Sequence, residues 1–101
     1  MPQPQTNDDR RQDPRFDTAF RAVLIESDVF GKQVQIVNIA RMGFLAQTRL
    51  SYESGSEISL HLPGLGPVSA MVVWCANGLL GGRFHDAIDA RSFGDLLASL
   101  P

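Results

Sequence analysis

Short strand-like segments recur along the chain after residue 15, and in the segments 32–39 and 57–62 hydrophobic and polar residues alternate, which is the pattern of half-buried β-strands. In the clearest segment, 57–62, Ile58, Leu60 and Leu62 share one face, and the residues between them are polar. Turn-forming residues bound each alternating segment. The pattern predicts six short strands, over residues 16–26, 32–39, 43–48, 57–62, 68–75 and 79–84.

Two further signals complete the predicted fold. The dipeptide Asn77-Gly78 predicts a tight hairpin, because both residues tolerate the positive φ angles of a type I′ turn. After Phe84 the apolar residues recur at helical spacing, which predicts a terminal helix over 87–100 with Asp89 as its N-cap. We therefore expect an all-β fold, a six-stranded antiparallel barrel, with one C-terminal helix.

The domain organisation follows from composition. Residues 1–14 contain almost no apolar side chain, so we expect a flexible N-terminal arm there and one barrel domain over 15–101. The formal net charge of −2 argues against broad attraction to nucleic acid or to anionic membranes. Eight of the nine basic residues are arginine, whose planar guanidinium suits phosphates and guanine edges.

Several protein classes are disfavoured by what the sequence lacks. Cys75 is the only cysteine, the first residues contain no apolar signal segment, and no apolar run reaches the length of a membrane span, so we expect a cytoplasmic protein without membrane insertion. The sequence has no nucleophile-elbow or phosphate-loop motif and no pair of metal ligands at a suitable spacing. We expect a protein that is not an enzyme and that has no metal site or cofactor.

Two residue clusters are unusual for a plain β domain. Arg10, Arg11 and Arg15 lie close together at the predicted arm, interleaved with aspartates; without a ligand, they are read as a solvated segment of weakly paired charges. The second cluster runs from Asn38 to Gly43, where the chain leaves one strand and enters the next, and it is compatible with an ordinary turn.

Taken together, the clusters resemble the PilZ domain family. That family carries an Arg-x-x-x-Arg pair on its N-terminal arm, which residues 11–15 match, and Asp/Asn-x-Ser-x-x-Gly after the second strand, which residues 38–43 match except at Ala40. Further likeness comes from Val-Val-Trp at 72–74 and Gly-Gly-Arg-Phe at 81–84. The resemblance extends from about residue 10 to residue 100 and implies the six-stranded barrel of that family.

The resemblance also implies a ligand, the bacterial second messenger cyclic di-GMP, which has two phosphates and two guanines. By analogy, Arg11 and Arg15 grip guanine edges or phosphates, and Asn38 accepts from a guanine through its carboxamide oxygen. Gly43 lets the backbone approach the ligand, and Arg10 could hold a second, stacked nucleotide. Ligand binding would order the arm and present a surface to a partner protein.

Ala40 keeps a rival hypothesis open, because its methyl group cannot make the hydrogen bond of the serine usual in the family. The alternative is a PilZ-like adaptor that no longer binds nucleotide and acts only through protein contacts, in motility or pilus function. A barrel that binds single-stranded RNA is disfavoured by the acidic charge balance. Trp74 could stack on a base, but its apolar surroundings in the sequence favour core packing.

Overall fold

The structure is a computed structural model that describes residues 14–26 and 30–101. The predicted arm falls outside these residues except for Pro14. Six strands and one helix are formed: β1 (Phe16–Glu26), β2 (Lys32–Ile39), β3 (Gly43–Gln47), β4 (Glu57–Leu62), β5 (Gly66–Ala76), β6 (Leu79–Phe84) and α1 (Ala90–Ser99).

The strands form a closed antiparallel barrel in the order β1-β2-β3-β6-β5-β4. Closure comes from β1, which pairs with β2 along most of its length and with β4 near its C-terminal end, where Val23 lies opposite His61. The predicted fold class, a six-stranded antiparallel barrel with a C-terminal helix, is confirmed. Each of the six described strands therefore pairs with two neighbours, and β1 pairs with β4 over Val23–Glu26.

The barrel interior is filled by the apolar side of each alternating strand. Phe44 and Phe84 are the largest fully buried side chains, and their ring centroids are 5.4 Å apart. Aliphatic residues from β1, β2 and β4 pack around this pair, including Leu24, Ile36 and Leu60. Burial of each such side chain contributes about 1.5–3 kcal/mol, so this interior is the main source of stability.

Helix α1 covers the end of the barrel at which β2 turns into β3. Asp89 begins the helix as predicted, accepting hydrogen bonds from the backbone N–H groups of Arg91 and Ser92, and the helix lies within the predicted range 87–100. Phe93 is buried on the barrel and its ring centroid is 5.8 Å from that of Phe16. The helix therefore packs against the start of β1 as well as against the core.

The segment before the helix is bonded to the β2–β3 turn in both directions. The backbone N–H of Ile88 donates to the Arg41 carbonyl at 2.9 Å, and Nε of Arg41 donates to the Ile88 carbonyl at 2.7 Å. Ile88 itself is buried. These contacts fix the turn against the base of the helix, and the turn is the segment that carries the candidate site.

The predicted hairpin between β5 and β6 is confirmed. Asn77 and Gly78 have φ angles of 54° and 81°, as a type I′ turn requires. A β-bulge lies between Val72 and Trp74, and it leaves Val73 and Trp74 both exposed. The expectation that Trp74 packs in the core is therefore wrong, because the extra residue of the bulge turns its side chain to the outer surface.

Close packing makes Gly82 sensitive to substitution. A Cβ atom at this position would overlap Cε1 and Cζ of the buried Phe44 ring, whereas a Cβ at the helical Gly94 would meet no atom within 4 Å. We predict that Gly82→Ala lowers the free energy of unfolding by about 1–3 kcal/mol through overpacking. Gly94→Ala should raise it by about 0.5–1 kcal/mol, because alanine loses less backbone entropy in a helix.

Urea denaturation of both variants checks this pair. The parent protein and the two variants differ only by single methyl groups, so the contrast isolates the space available at each site. Equal destabilisation by the two substitutions would contradict the packing of Phe44 on β6.

Candidate functional site

A hydrogen-bonded chain of three polar side chains lies where β1 begins and β2 ends. Nε of Arg15 donates to Oδ1 of Asn38 at 3.0 Å, and Nδ2 of Asn38 donates to Oδ1 of Asp17 at 3.0 Å. The backbone brings them together, since Asp17 and Asn38 are register partners and Arg15 lies just before the strand. A β-bulge between Ile36 and Asn38 precedes the asparagine on β2.

Among residues 14–26 and 30–101, this arrangement leaves unused hydrogen-bonding capacity on Arg15 and Asn38. A guanidinium has five N–H donors, and the contact with Asn38 uses only Nε. The amide oxygen of Asn38 has a second lone pair, and its nitrogen has a second N–H. Asn38 therefore acts first as a positioning group for Arg15, a role that was not predicted from the sequence, and it can still contact a ligand.

The β2–β3 turn is tight and lies against β6. The backbone N–H of Ala40 donates to the Gly43 carbonyl at 2.8 Å, and the N–H of Phe84 donates to the Met42 carbonyl at 2.8 Å. Gly43 does not have a positive φ angle; instead, a Cβ there would lie 2.6 Å from the carbonyl oxygen of Gly82. The need for glycine at position 43 thus has a structural cause, the close approach of β3 to β6.

Three of the predicted site residues meet at one shallow depression. Arg15, Ala40 and Gly43 line an open depression of about 270 Å³. Asn38 joins them through its bond to Arg15. The remaining residues that line the depression are Met42, Gly82 and Arg83. Arg10 and Arg11, the other two predicted site residues, lie outside the described residues.

Ala40 is almost completely buried, with 3% of its surface exposed. It lines the depression, where it can offer a ligand only its backbone and a methyl group. The position matched to the family serine therefore borders the same depression as Arg15 and Gly43.

The structure adds Arg83, which sequence reasoning did not select. Arg83 is exposed on the outer side of β6, opposite Gly43 in the register, and lines the same depression as Arg15. The alternation around the buried Phe84 would have directed Arg83 outward. Its proximity to Arg15 depends on the pairing of β6 with β3, which a local sequence pattern does not show.

Trp74 does not line the depression, but it lies on the same outer wall of the barrel. Register pairs run from Asn38 on β2 through Leu45 and Gly81 to Trp74 on β5, so these residues form one row on the outer wall. The indole lies over Gly81, where a Cβ would be 2.8 Å from Cε2, and 43% of the tryptophan surface remains exposed. Three strand spacings separate the ends of the row, a distance of about 14 Å.

Comparison with known protein families gives one result that bears on this chain. The PilZ domain family matches residues 9–100, which is nearly the whole chain. No curated protein matches the sequence. Within residues 14–26 and 30–101, the one helix is too short to cross a membrane.

The position of Trp74 over Gly81 gives a direct spectroscopic prediction. Gly81→Ala should push the indole away from β6 and expose it further, because the new methyl group needs the space that the ring occupies. Since Trp74 is the only tryptophan, its fluorescence emission should move to longer wavelength. Gly94→Ala is the matched control and should leave the emission unchanged; an unshifted spectrum for Gly81→Ala would contradict this packing.

Proposed function

The chain belongs to the PilZ domain family, and on that premise we propose that it binds cyclic di-GMP at the depression between Arg15 and Arg83. PilZ domains are a family of ligand-binding and adaptor domains rather than enzymes, and the proposed activity is likewise binding without catalysis. The observation that carries the proposal is the placement of Arg15, Asn38, Ala40 and Gly43 around one open site.

The charges at the site suit a dianionic ligand. Arg15 and Arg83 line the same depression, and no acidic side chain is among its described lining residues. Asp17 is nearby, but the structure has it accepting from Asn38. A phosphate between two guanidinium groups gains charge-assisted hydrogen bonds, each contributing about 1.5–3 kcal/mol. Within the part of the chain that the structure describes, Asn38 binds only Nε of Arg15, so the two terminal nitrogens remain for this contact.

The size of the depression indicates how the ligand would lie. Ligand pockets typically enclose about 300–1,000 Å³, and 270 Å³ is too small to enclose a dinucleotide. The ligand would therefore extend across the outer wall of β3 and β6. Leu45 and Gly81 lie on that wall, and Trp74 lies at its far side. We propose that one guanine stacks on the exposed indole, a contact worth about 1–3 kcal/mol.

Ala40 reduces the affinity without removing the site. One missing neutral hydrogen bond costs about 0.5–1.5 kcal/mol, which is close to a tenfold change in affinity at most. The binding free energy contributed by two arginine contacts is larger than this loss. The methyl group is thus compatible with nucleotide binding, and the nucleotide-free adaptor becomes an outcome that the experiments can detect.

The N-terminal arginines supply the rest of the proposed mechanism. Arg11 completes the Arg-x-x-x-Arg pair with Arg15, and Arg10 precedes it as the candidate contact to a second nucleotide. Because Arg15 is attached directly to β1, a ligand held there would draw Arg10 and Arg11 onto the barrel wall. We propose that this ordered arm presents a new surface to a partner protein.

Calorimetric titration of cyclic di-GMP tests the assignment. We predict micromolar or tighter binding to the parent protein, and a loss of more than a hundredfold for Arg11→Ala combined with Arg15→Ala, because two charge-assisted contacts of about 1.5–3 kcal/mol each disappear. Arg91→Ala, an exposed arginine on α1, is the matched control and should bind as the parent does. Quenching of Trp74 fluorescence by the ligand should accompany the heat.

The outcomes separate the two hypotheses. Undiminished binding by the double variant would reject the assigned arginines. No binding heat from any variant, the parent protein included, would favour the adaptor. Binding without quenching of Trp74 would retain the arginine site and remove the tryptophan from it.

Restoring the missing hydroxyl gives an independent prediction. Ala40→Ser should tighten cyclic di-GMP binding by about threefold to tenfold, because the new hydroxyl adds one hydrogen bond at the edge of the site. Ala46 on β3 is another buried alanine. Ala46→Ser therefore controls for the cost of burying a hydroxyl and should not tighten binding. A weaker complex for Ala40→Ser with unchanged protein stability would place the ligand elsewhere.

A further inference from the structure

A second surface, the basic groove, lies toward the opposite end of the same strands. It is an open groove of about 1,070 Å³, several times larger than the depression beside Arg15. Its charged lining residues are Arg21 on β1, Lys32 on β2, and Arg49 just after β3. The cyclic di-GMP site uses none of these residues.

The barrel register explains the shape and polarity of the groove. Arg21, Gln35, Gln47 and Leu79 are successive register partners across β1, β2, β3 and β6. This row crosses three strand spacings, about 14 Å, which matches four or five residues of extended polypeptide. The floor therefore offers amide side chains along its length, with a cation at one end and an apolar residue at the other.

The cations of the groove are available for a ligand. Within the described residues, no side-chain hydrogen bond or ion pair involves Arg21, Lys32 or Arg49, and no Asp or Glu is among the described lining residues. All three side chains are exposed. The whole chain has a formal net charge of −2, so the groove is a local basic site on an acidic protein. Charge complementarity favours an anionic occupant.

The composition of the groove favours polypeptide over nucleic acid. Its described lining contains no Phe, Tyr or Trp on which a base could stack. It does contain Leu79 and Leu50, and Leu50 is 45% exposed, which offers an apolar anchor at one end. The loop at that end is held in place, because the N–H of Thr48 donates to the Gly78 carbonyl at 3.0 Å. Backbone addition of a partner strand is disfavoured along most of the groove, because β2, β3 and β6 each pair with two neighbouring strands.

We propose that the basic groove binds an extended acidic segment of a partner protein, with carboxylates on Arg21, Lys32 and Arg49 and a large apolar side chain against Leu50. This proposal rests on the proposed function in one respect: it identifies the chemistry of the partner protein that would receive the cyclic di-GMP signal. The groove and the depression share no lining residue. Either surface can therefore be disabled while the other is kept.

Fluorescence anisotropy with a designed probe tests the proposal. The probe is a labelled peptide of about ten residues, long enough to span the groove, with Asp and Glu at most positions and one leucine. Its matched control replaces the acids with Asn and Gln. We expect the acidic peptide to bind and the neutral peptide to bind at least tenfold more weakly. The triple variant Arg21→Glu, Lys32→Glu and Arg49→Glu should bind the acidic peptide at least tenfold more weakly than the parent. Arg91→Glu should have little effect on this affinity.

Two further measurements keep the test decisive. Thermal unfolding of the triple variant verifies that it folds. In an NMR titration, the side-chain amide signals of Gln35 and Gln47 should shift with the acidic peptide, while the signal of Asn38 should not. The double variant Arg11→Ala with Arg15→Ala should bind the peptide as the parent does. A loss of cyclic di-GMP binding can therefore be distinguished from a loss of peptide binding at the groove.

Several outcomes would overturn the proposal. These are equal binding of the acidic and neutral peptides, an equal loss with Arg91→Glu, or amide shifts centred on Asn38. Binding of a single-stranded RNA probe at the groove, in preference to the acidic peptide, would identify the wrong class of partner and would equally reject it.

Discussion

The close contact between β3 and β6 is the constraint on which this wall of the barrel depends. Two adjacent glycines on β6 accept an aromatic ring on each side of the sheet, since Gly82 leaves room for Phe44 inside and Gly81 for Trp74 outside. Gly43 allows the same two strands to approach at the turn. Any side chain at these positions would separate layers that are packed at van der Waals distance, so the core and the proposed ligand surface share one thin wall.

The proposed site combines a firmly held backbone with side chains that still have hydrogen-bonding groups available for a ligand. Ile88 and Arg41 bind each other through two hydrogen bonds, and α1 packs on Phe16 through Phe93, so the turn and the start of β1 cannot move independently. Arg15 projects from this base and is oriented by Asn38. Such preorganisation lowers the entropy cost of binding, which matters where a shallow surface buries little of its ligand.

Local patterns were sufficient for the strands, the hairpin at Asn77 and the helix cap at Asp89, because each depends on neighbours in sequence. The partners of Arg15 and Arg83 depend on strand register, which brings together residues far apart in the chain. The misjudged Trp74 shows the same limit, since a bulge of one residue reverses the face of a strand and leaves no clear trace in an apolar segment. The resemblance to PilZ domains identified the turn motif, but the reason for Gly43 required the coordinates.

The seam between β1 and β4 has a consequence for how the chain reaches this structure. The first strand bonds to its immediate successor and also to a strand that is much later in the sequence, with β2 and β3 between them. Closing that seam requires a loss of chain entropy before the β1–β4 contacts can stabilise the fold, which is typical of slowly folding β-proteins. During synthesis the β1 edge over Val23–Glu26 would stay unpaired until β4 has emerged, so a newly made chain exposes a pairing edge that the finished barrel covers.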